Sequence, residues 1–217
     1  MSTALLALAS TSPARQAVLT AAHIRYRQVD ASVDETALVR DLIAADAHSA
    51  NDAPAQVSAL ARAKARAGLQ AARECEASMV LGCDSLFELD GIITGKPQTP
   101  ARARNQLRAM RGKCGTLHTG HCLIRTDDGT EFTAVGTAQV HITTLTDREI
   151  DAYVATQEPL WVAGCFTLEG YGGVFIERID GSHHNVLGLS LPLLRQLIAQ
   201  AGGNITDFWL PAPPNAR

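Results

Sequence analysis

The sequence predicts an α/β fold built on a mixed β-sheet, and three observations carry that reading. Short apolar β runs alternate with helical stretches along most of the chain. A long antiparallel hairpin interrupts that alternation in the middle, which a purely parallel sheet does not accommodate. The 217 residues are 46% hydrophobic, enough for one sizeable globular domain with a substantial core. No internal repeat or low-complexity linker divides the chain, so a single domain is expected over residues 1–210 and a loose tail over 211–217.

The elements follow in order. Residues 5–9 form a short apolar run that predicts a first buried strand, ended by Ser10-Thr11-Ser12-Pro13. Proline after serine marks a helix start, so a helix is expected over 13–22 with Val18 and Leu19 inward. Residues 24–29 alternate and predict a second strand; 30–34 are polar and predict a loop. Pro54 and the spacing of Val57, Leu60, Ala61, Ala65 and Leu69 predict one long amphipathic helix over 53–75. Residues 78–89 predict a strand closed by the turn pair Asp90-Gly91. Thr99-Pro100 opens a helix reaching Arg111, with Leu107 and Met110 inward. Two β runs, 117–125 and 131–143, flank Asp127-Asp128-Gly129 as a hairpin. Thr146 starts a helix through Val154, with Glu149 placed for a capping box. A late strand is expected over 174–179, and a final helix over 190–201, stopped by Gly202-Gly203.

Composition excludes several classes. A formal charge of −3 and a pI near 6.1 argue against bulk nucleic-acid or membrane-surface binding, so any anionic ligand must be met by a local basic cluster. Five scattered cysteines without C-x-x-C spacing predict reduced thiols rather than disulfides or a zinc ribbon. The apolar start is short, lacks a preceding Lys or Arg, and is read as a strand rather than a signal peptide. No run reaches transmembrane length, and the expected compartment is the cytoplasm.

The residues that attract chemistry are few. Asp84 ends the apolar run of Met79, Val80 and Leu81, is followed by Ser85, and is costly there without a partner. The turn after it leads to Gly95-Lys96-Pro97, so one cleft can hold both the carboxylate and the ammonium. That pairing suits a metal-bound phosphate. Ser10, Ser12 and the N–H groups opening the first helix make an anion site to which Arg15 adds a fork, or else an ordinary capped helix. Asp34-Glu35 and Lys64 read equally as solvated charges. His118 and His121 form an H-x-x-H in a strand, where i and i+3 point to opposite faces, which argues against zinc; the His183-His184 pair has no assigned role. Gly170-Tyr171-Gly172-Gly173 precedes a strand, so a tight turn or close backbone approach fits better than a phosphate loop.

These segments, in this order, resemble the Maf family of nucleoside triphosphate pyrophosphatases. The resemblance rests on Leu8 to Arg15, the Ala61 to Ala65 stretch with Lys64, Asp84-Ser85 with Gly95-Lys96-Pro97, Thr119-Gly120, Ala163-Gly164 through Glu169-Gly170, and Asn185-Val186-Leu187-Gly188-Leu189. The last two blocks look most like actinobacterial members. The resemblance implies two lobes around an elongated sheet with substrate in the cleft between them, hydrolysis of a nucleoside triphosphate to monophosphate and pyrophosphate, a divalent cation (Mg²⁺ or Mn²⁺), and homodimers. It also implies roles by position. Asp84 falls on the catalytic proton acceptor, and Glu35 with Asp84 on the metal site. Lys64 and Lys96 fall on phosphate-side lysines, and Ser10, Ser12 and Arg15 on the N-terminal turn.

Three positions tied to substrate choice fall on Ala14, Ser85 and Glu169. Pyrimidine-type members carry Arg, Thr and Gln there. Glu169 agrees with methylguanosine-type members, whereas Ala14 is small where those members are bulky. In the mechanism that follows, Asp84 positions or deprotonates a water for in-line attack at the α-phosphorus, and the lysines and cation hold the leaving pyrophosphate. Some family members are linked to arrest of septum formation, so a nucleotide-binding regulator of division is the rival reading. A phosphatase that removes only the terminal phosphate is a second rival.

Overall fold

The computed structural model describes residues 4–211, so the tail expected over 211–217 lies, apart from its first residue, outside the described residues. Strand β1 (Leu6–Ala9) is buried throughout, as its unbroken apolar run requires. Helix α1 (Pro13–Ala21) turns Val18 and Leu19 inward; its Ser12 side chain makes no capping bond, so the proline sets the start. Strand β2 (Tyr26–Gln28) is shorter than the expected 24–29, because Ile24 instead forms an isolated antiparallel bridge with Trp209.

Helix α2 (Glu35–Ala45), capped by Asp34, has no fully buried residue and therefore no core-facing stripe for sequence reasoning to find. The single long helix expected next is two, α3 (Ala53–Ala67) and α4 (Leu69–Glu74). They part at Gly68, where an added Cβ would come within 2.9 Å of the Ala9 Cβ. Strands β3 (Met79–Leu89) and β4 (Ile92–Thr94) meet through Asp90 and Gly91, both at positive φ, the geometry such a turn demands.

Helix α5 (Pro100–Met110) is capped by Thr99, and β5 (Cys114–Arg125) with β6 (Glu131–Ile142) forms the long hairpin. Helix α6 (Asp147–Ala155) carries the full capping box of Thr146 and Glu149. Strand β7 (Ile176–Asp180) begins later than expected because Tyr171–Phe175 closes into a 3-10 turn. The short α7 (His183–Val186) and the amphipathic α8 (Leu191–Gln200) complete the order. All five cysteines are free thiols, and no helix among the described residues is long and apolar enough to cross a membrane.

The sheet runs β2-β1-β3-β5-β6-β7 with β4 folded back on β3; β1 is parallel to β2 and β3, and the other pairs are antiparallel. It is thus the mixed sheet the sequence predicts. One core packs α1 and α8 on the sheet through Leu6, Leu19, Leu81, Leu194 and Ile198. Another lies at the opposite end of β3 around Phe87, Leu107, Val140, Ile150 and Phe166. Each such fully buried side chain stabilises the fold by about 1.5–3 kcal/mol. Asp84 and Ser85 sit on β3 between Leu81 and Phe87, where neither core claims the strand.

Two glycines set the height of α3 above this strand. A Cβ on Gly82 would lie 2.2 Å from the Ala61 carbonyl oxygen, and one on Gly120 would lie 2.2 Å from that of Val57. Helix and sheet therefore meet backbone to backbone, and Lys64 on α3 reaches Asp84 on β3.

Candidate active site

A cleft of about 650 Å³ opens where the cores part. Its lining includes every residue to which the family resemblance assigns a role: Ser10, Ser12, Ala14 and Arg15 around the start of α1, Glu35 at the start of α2, Lys64, Asp84, Ser85, Lys96 and Glu169.

The centre of the cleft is an ionic triplet. Lys64 Nζ lies 2.5 Å from Asp84 Oδ1 and 2.6 Å from Glu35 Oε1. The Lys64 and Asp84 side chains are only 13% and 11% exposed, so each depends on the other for compensation. Glu35 is more open. Burial alone would raise its pKa, but the hydrogen bond and charge of Lys64, with Lys96 and Arg15 farther off, hold it below the usual value. Glu35 owes its position to the Asp34 cap, which accepts the Ala37 N–H at 2.9 Å. Lys64 is thus a largely buried, paired charge, whereas Glu35 is paired but remains open to solvent.

Arg15 departs from the free phosphate fork expected of it. It is buried, and three of its donors are already engaged: Nε with the Gly188 carbonyl at 2.7 Å, and its two terminal nitrogens with Ser10 Oγ at 3.0 Å and Ser85 Oγ at 3.2 Å. Gly188 holds its carbonyl there from a φ of 88°, which favours glycine. The chain of contacts continues from Ser85 Oγ to Thr119 Oγ1 at 2.9 Å, and from Thr119 Oγ1 to the Asn185 carbonyl at 2.9 Å. Arg15 thus ties α1, β3 and the segment before α8 together and lends its charge to the cleft. Ser10 accepts from Arg15 and, at 3.3 Å, from the Ser12 N–H, which leaves its hydroxyl proton to donate to an anion. Lys96 makes no ion pair among the described residues.

His118 and His121 stand apart from this chemistry. His118 Nε2 pairs with Glu88 at 3.1 Å. His121 donates Nδ1–H to the Thr119 carbonyl at 3.1 Å and accepts the Ser190 N–H on Nε2 at 2.8 Å. Burial, and then the Arg15 charge, push its pKa down to about 4. Among the described residues no group of three or more His, Cys, Asp or Glu side chains is placed to hold a metal. Glu35 and Asp84 nonetheless converge on one point, where the Lys64 ammonium now serves as their cation. Two carboxylates are a sufficient protein share for a hard divalent ion that takes its other ligands from phosphate and water. The residues present fit such an ion.

Sequence reasoning missed much of the remaining wall: Trp161, Val162, Phe166 and Thr167, from a segment with little regular structure. The glycines at 170, 172 and 173 make the close backbone approach expected of them: an added Cβ would meet the Glu158 carboxylate, the Tyr153 hydroxyl and the Leu168 carbonyl respectively.

A mixed sheet whose third strand delivers an acid to a charged cleft between two cores defines an α/β protein with an ionic site on its sheet. The chain belongs to the Maf family: it matches the family described as Maf-like protein over residues 5–201. It is 45% identical to a nucleoside triphosphate pyrophosphatase of Streptomyces coelicolor, over 95% of either chain. It is likewise 45% identical to one of Salinispora tropica, over 94% of this chain and 87% of the other. A third protein of that name, from Microcystis aeruginosa, is 42% identical over 94% of this chain and 98% of its own.

Proposed function

We propose that this protein hydrolyses a nucleoside triphosphate to the monophosphate and pyrophosphate, with a divalent cation, and that it acts on non-standard or modified nucleotides. The observation that carries the reading is the Asp84–Lys64–Glu35 triplet at the centre of a cleft that also holds Lys96 and the Ser10–Ser12 turn. The relatives' shared name supports it.

Lys64 engages Asp84 Oδ1, which leaves Oδ2 to orient a water and accept its proton. The water oxygen attacks the α-phosphorus. The bond to the bridging oxygen breaks, and pyrophosphate departs with that electron pair. Lys96 and Lys64 neutralise the phosphate oxygens, and Ser10 with the start of α1 donates hydrogen bonds. Glu35 and Asp84 would hold a Mg²⁺ or Mn²⁺ ion, which would supply charge neutralisation and a lowered water pKa. Glu169 repels phosphate, so the base lies towards Glu169 and the triphosphate towards the lysines.

Incubation with GTP, UTP and modified triphosphates, with Mg²⁺ or with excess chelator, tests the proposal through its products. Pyrophosphate with monophosphate is expected, and chelation should abolish it. Orthophosphate with diphosphate would establish a terminal phosphatase instead, and binding without turnover would favour the regulator.

A further inference from the structure

Between α6 and β7 the chain passes through three short 3-10 turns, Glu158–Trp161, Ala163–Cys165 and Tyr171–Phe175, and carries Phe166, Thr167 and Glu169 into the cleft. One carboxylate organises this segment. Glu158 Oε1 accepts from Thr167 Oγ1 at 2.5 Å, from the Tyr153 hydroxyl at 2.9 Å and from the Gly172 N–H at 3.0 Å. Its Oε2 accepts the Tyr171 N–H at 3.0 Å. The Tyr153 oxygen in turn accepts the Thr167 N–H at 3.3 Å, and its ring is buried in the core beneath α6. The backbone pulls in tightly: a Cβ on Gly170 would lie 2.3 Å from Glu158 Oε2, and one on Gly172 would lie 2.4 Å from the Tyr153 oxygen. Burial opposes ionisation of Glu158, but the Thr167 hydroxyl, the two backbone N–H groups and the Tyr153 hydroxyl outweigh it and lower the pKa. The group is therefore a pure acceptor facing four donors. Glu158 is not among the residues that line the cleft.

We propose that Glu158 is a positioning residue for nucleotide recognition: by clamping Thr167, Tyr171 and Gly172 it fixes the wall that bears Phe166, Thr167 and Glu169, and so sets affinity for the nucleoside and preference among bases. The clamp holds both flanks of Glu169, two residues after Thr167 and two before Tyr171. A wall residue tethered on one side only would swing with its loop. This inference rests on the proposed nucleotide chemistry.

Glu158→Gln turns one acceptor oxygen into a donor that faces donors, while shape is retained. Steady-state kinetics with GTP and UTP, with melting temperature alongside, test the inference. The expected result is a KM raised about tenfold, a kcat within about threefold, and a GTP-to-UTP ratio of kcat/KM moved towards one. Glu158→Asp, which keeps the carboxylate, should recover part of the ratio. Tyr153→Phe, which removes one donor, should shift KM the same way by less, and these two variants decide the matter if Glu158→Gln does not fold. An unchanged KM and ratio with only a lower melting temperature would make Glu158 merely structural, and a loss confined to kcat would also overturn the inference. If the wild-type protein releases no pyrophosphate from any triphosphate, the proposed reaction fails by itself. The dissociation constant of a non-hydrolysable GTP analogue, compared between wild type and Glu158→Gln, then still tests the clamp.

Discussion

The Lys64 ammonium stands 2.5 Å from Asp84 Oδ1, bridging the 20 residues that separate helix from strand. A proton acceptor held this way has one of its two oxygens occupied. The contact therefore divides labour between Oδ1, which holds position, and Oδ2, which can take a proton.

Asp84→Asn should leave the fold intact and reduce turnover by about a hundredfold or more, the usual scale for losing an acid–base group. Pyrophosphate release by a variant with wild-type circular dichroism checks this. Near-normal release would remove Asp84 from the mechanism.

The two lysines should fail differently. Lys64→Ala leaves two carboxylates facing each other, one of them largely buried, and should cost about 1–3 kcal/mol of stability besides activity. Lys96 has no ion pair among the described residues, so Lys96→Ala should weaken catalysis and leave the denaturant midpoint almost unmoved. Equal midpoints for the two variants would contradict the triplet as a structural unit.

Glu169 should select the base. An ionised carboxylate only accepts hydrogen bonds, and guanine offers N1–H and an exocyclic amine. Uracil and thymine flank one N–H with two carbonyl oxygens. Guanine-type or cationic modified bases should therefore outrank UTP and dTTP, and Glu169→Gln should raise the pyrimidines relative to GTP. A substrate ranking untouched by that change would place Glu169 outside recognition.

Acid should destabilise the fold through His121. Its folded pKa of about 4 lies below the ordinary 6.5, so the unfolded chain binds the proton more tightly. The neutral ring's contribution is complete above pH 6.5 and is lost as pH falls towards 4, at about 1.4 kcal/mol per pH unit inside that window. Urea midpoints from pH 7 to 4.5 should fall more steeply for wild type than for His121→Gln. Parallel slopes would show that the imidazole is not the group being protonated.

Much of the fold was legible because it rests on local chemistry. The Thr146–Glu149 capping box and the Asp90-Gly91 turn are signals a few residues long. Asp84 was legible as an acid following an apolar run, although it sits in the middle of β3 rather than at a strand end. What stayed hidden depends on distant partners. The Nε–H of Arg15 is committed to a carbonyl 173 residues away, which no local pattern records. Helix α2 escaped because it buries no residue completely, and the reach of Glu35 to Lys64 was hidden with it. Glu158 looks like any polar loop residue until the turn at Tyr171–Phe175 closes over it.

The backbone-to-backbone seat of α3 on Gly82 and Gly120 bears on how loss-of-function variants should be interpreted. Alanine at either glycine must lift the helix, since its methyl would come within 2.2 Å of a main-chain oxygen. Reaching an ordinary contact of 3.4 Å from 2.2 Å needs a shift of about 1.2 Å, enough to strain the 2.5 Å Lys64–Asp84 contact although no charged group had been altered. A mutational screen scored on activity alone would then count two inert glycines among the catalytic residues. Measuring whether added cation or high substrate restores their turnover would separate an enzyme whose parts are missing from one whose parts are merely out of register.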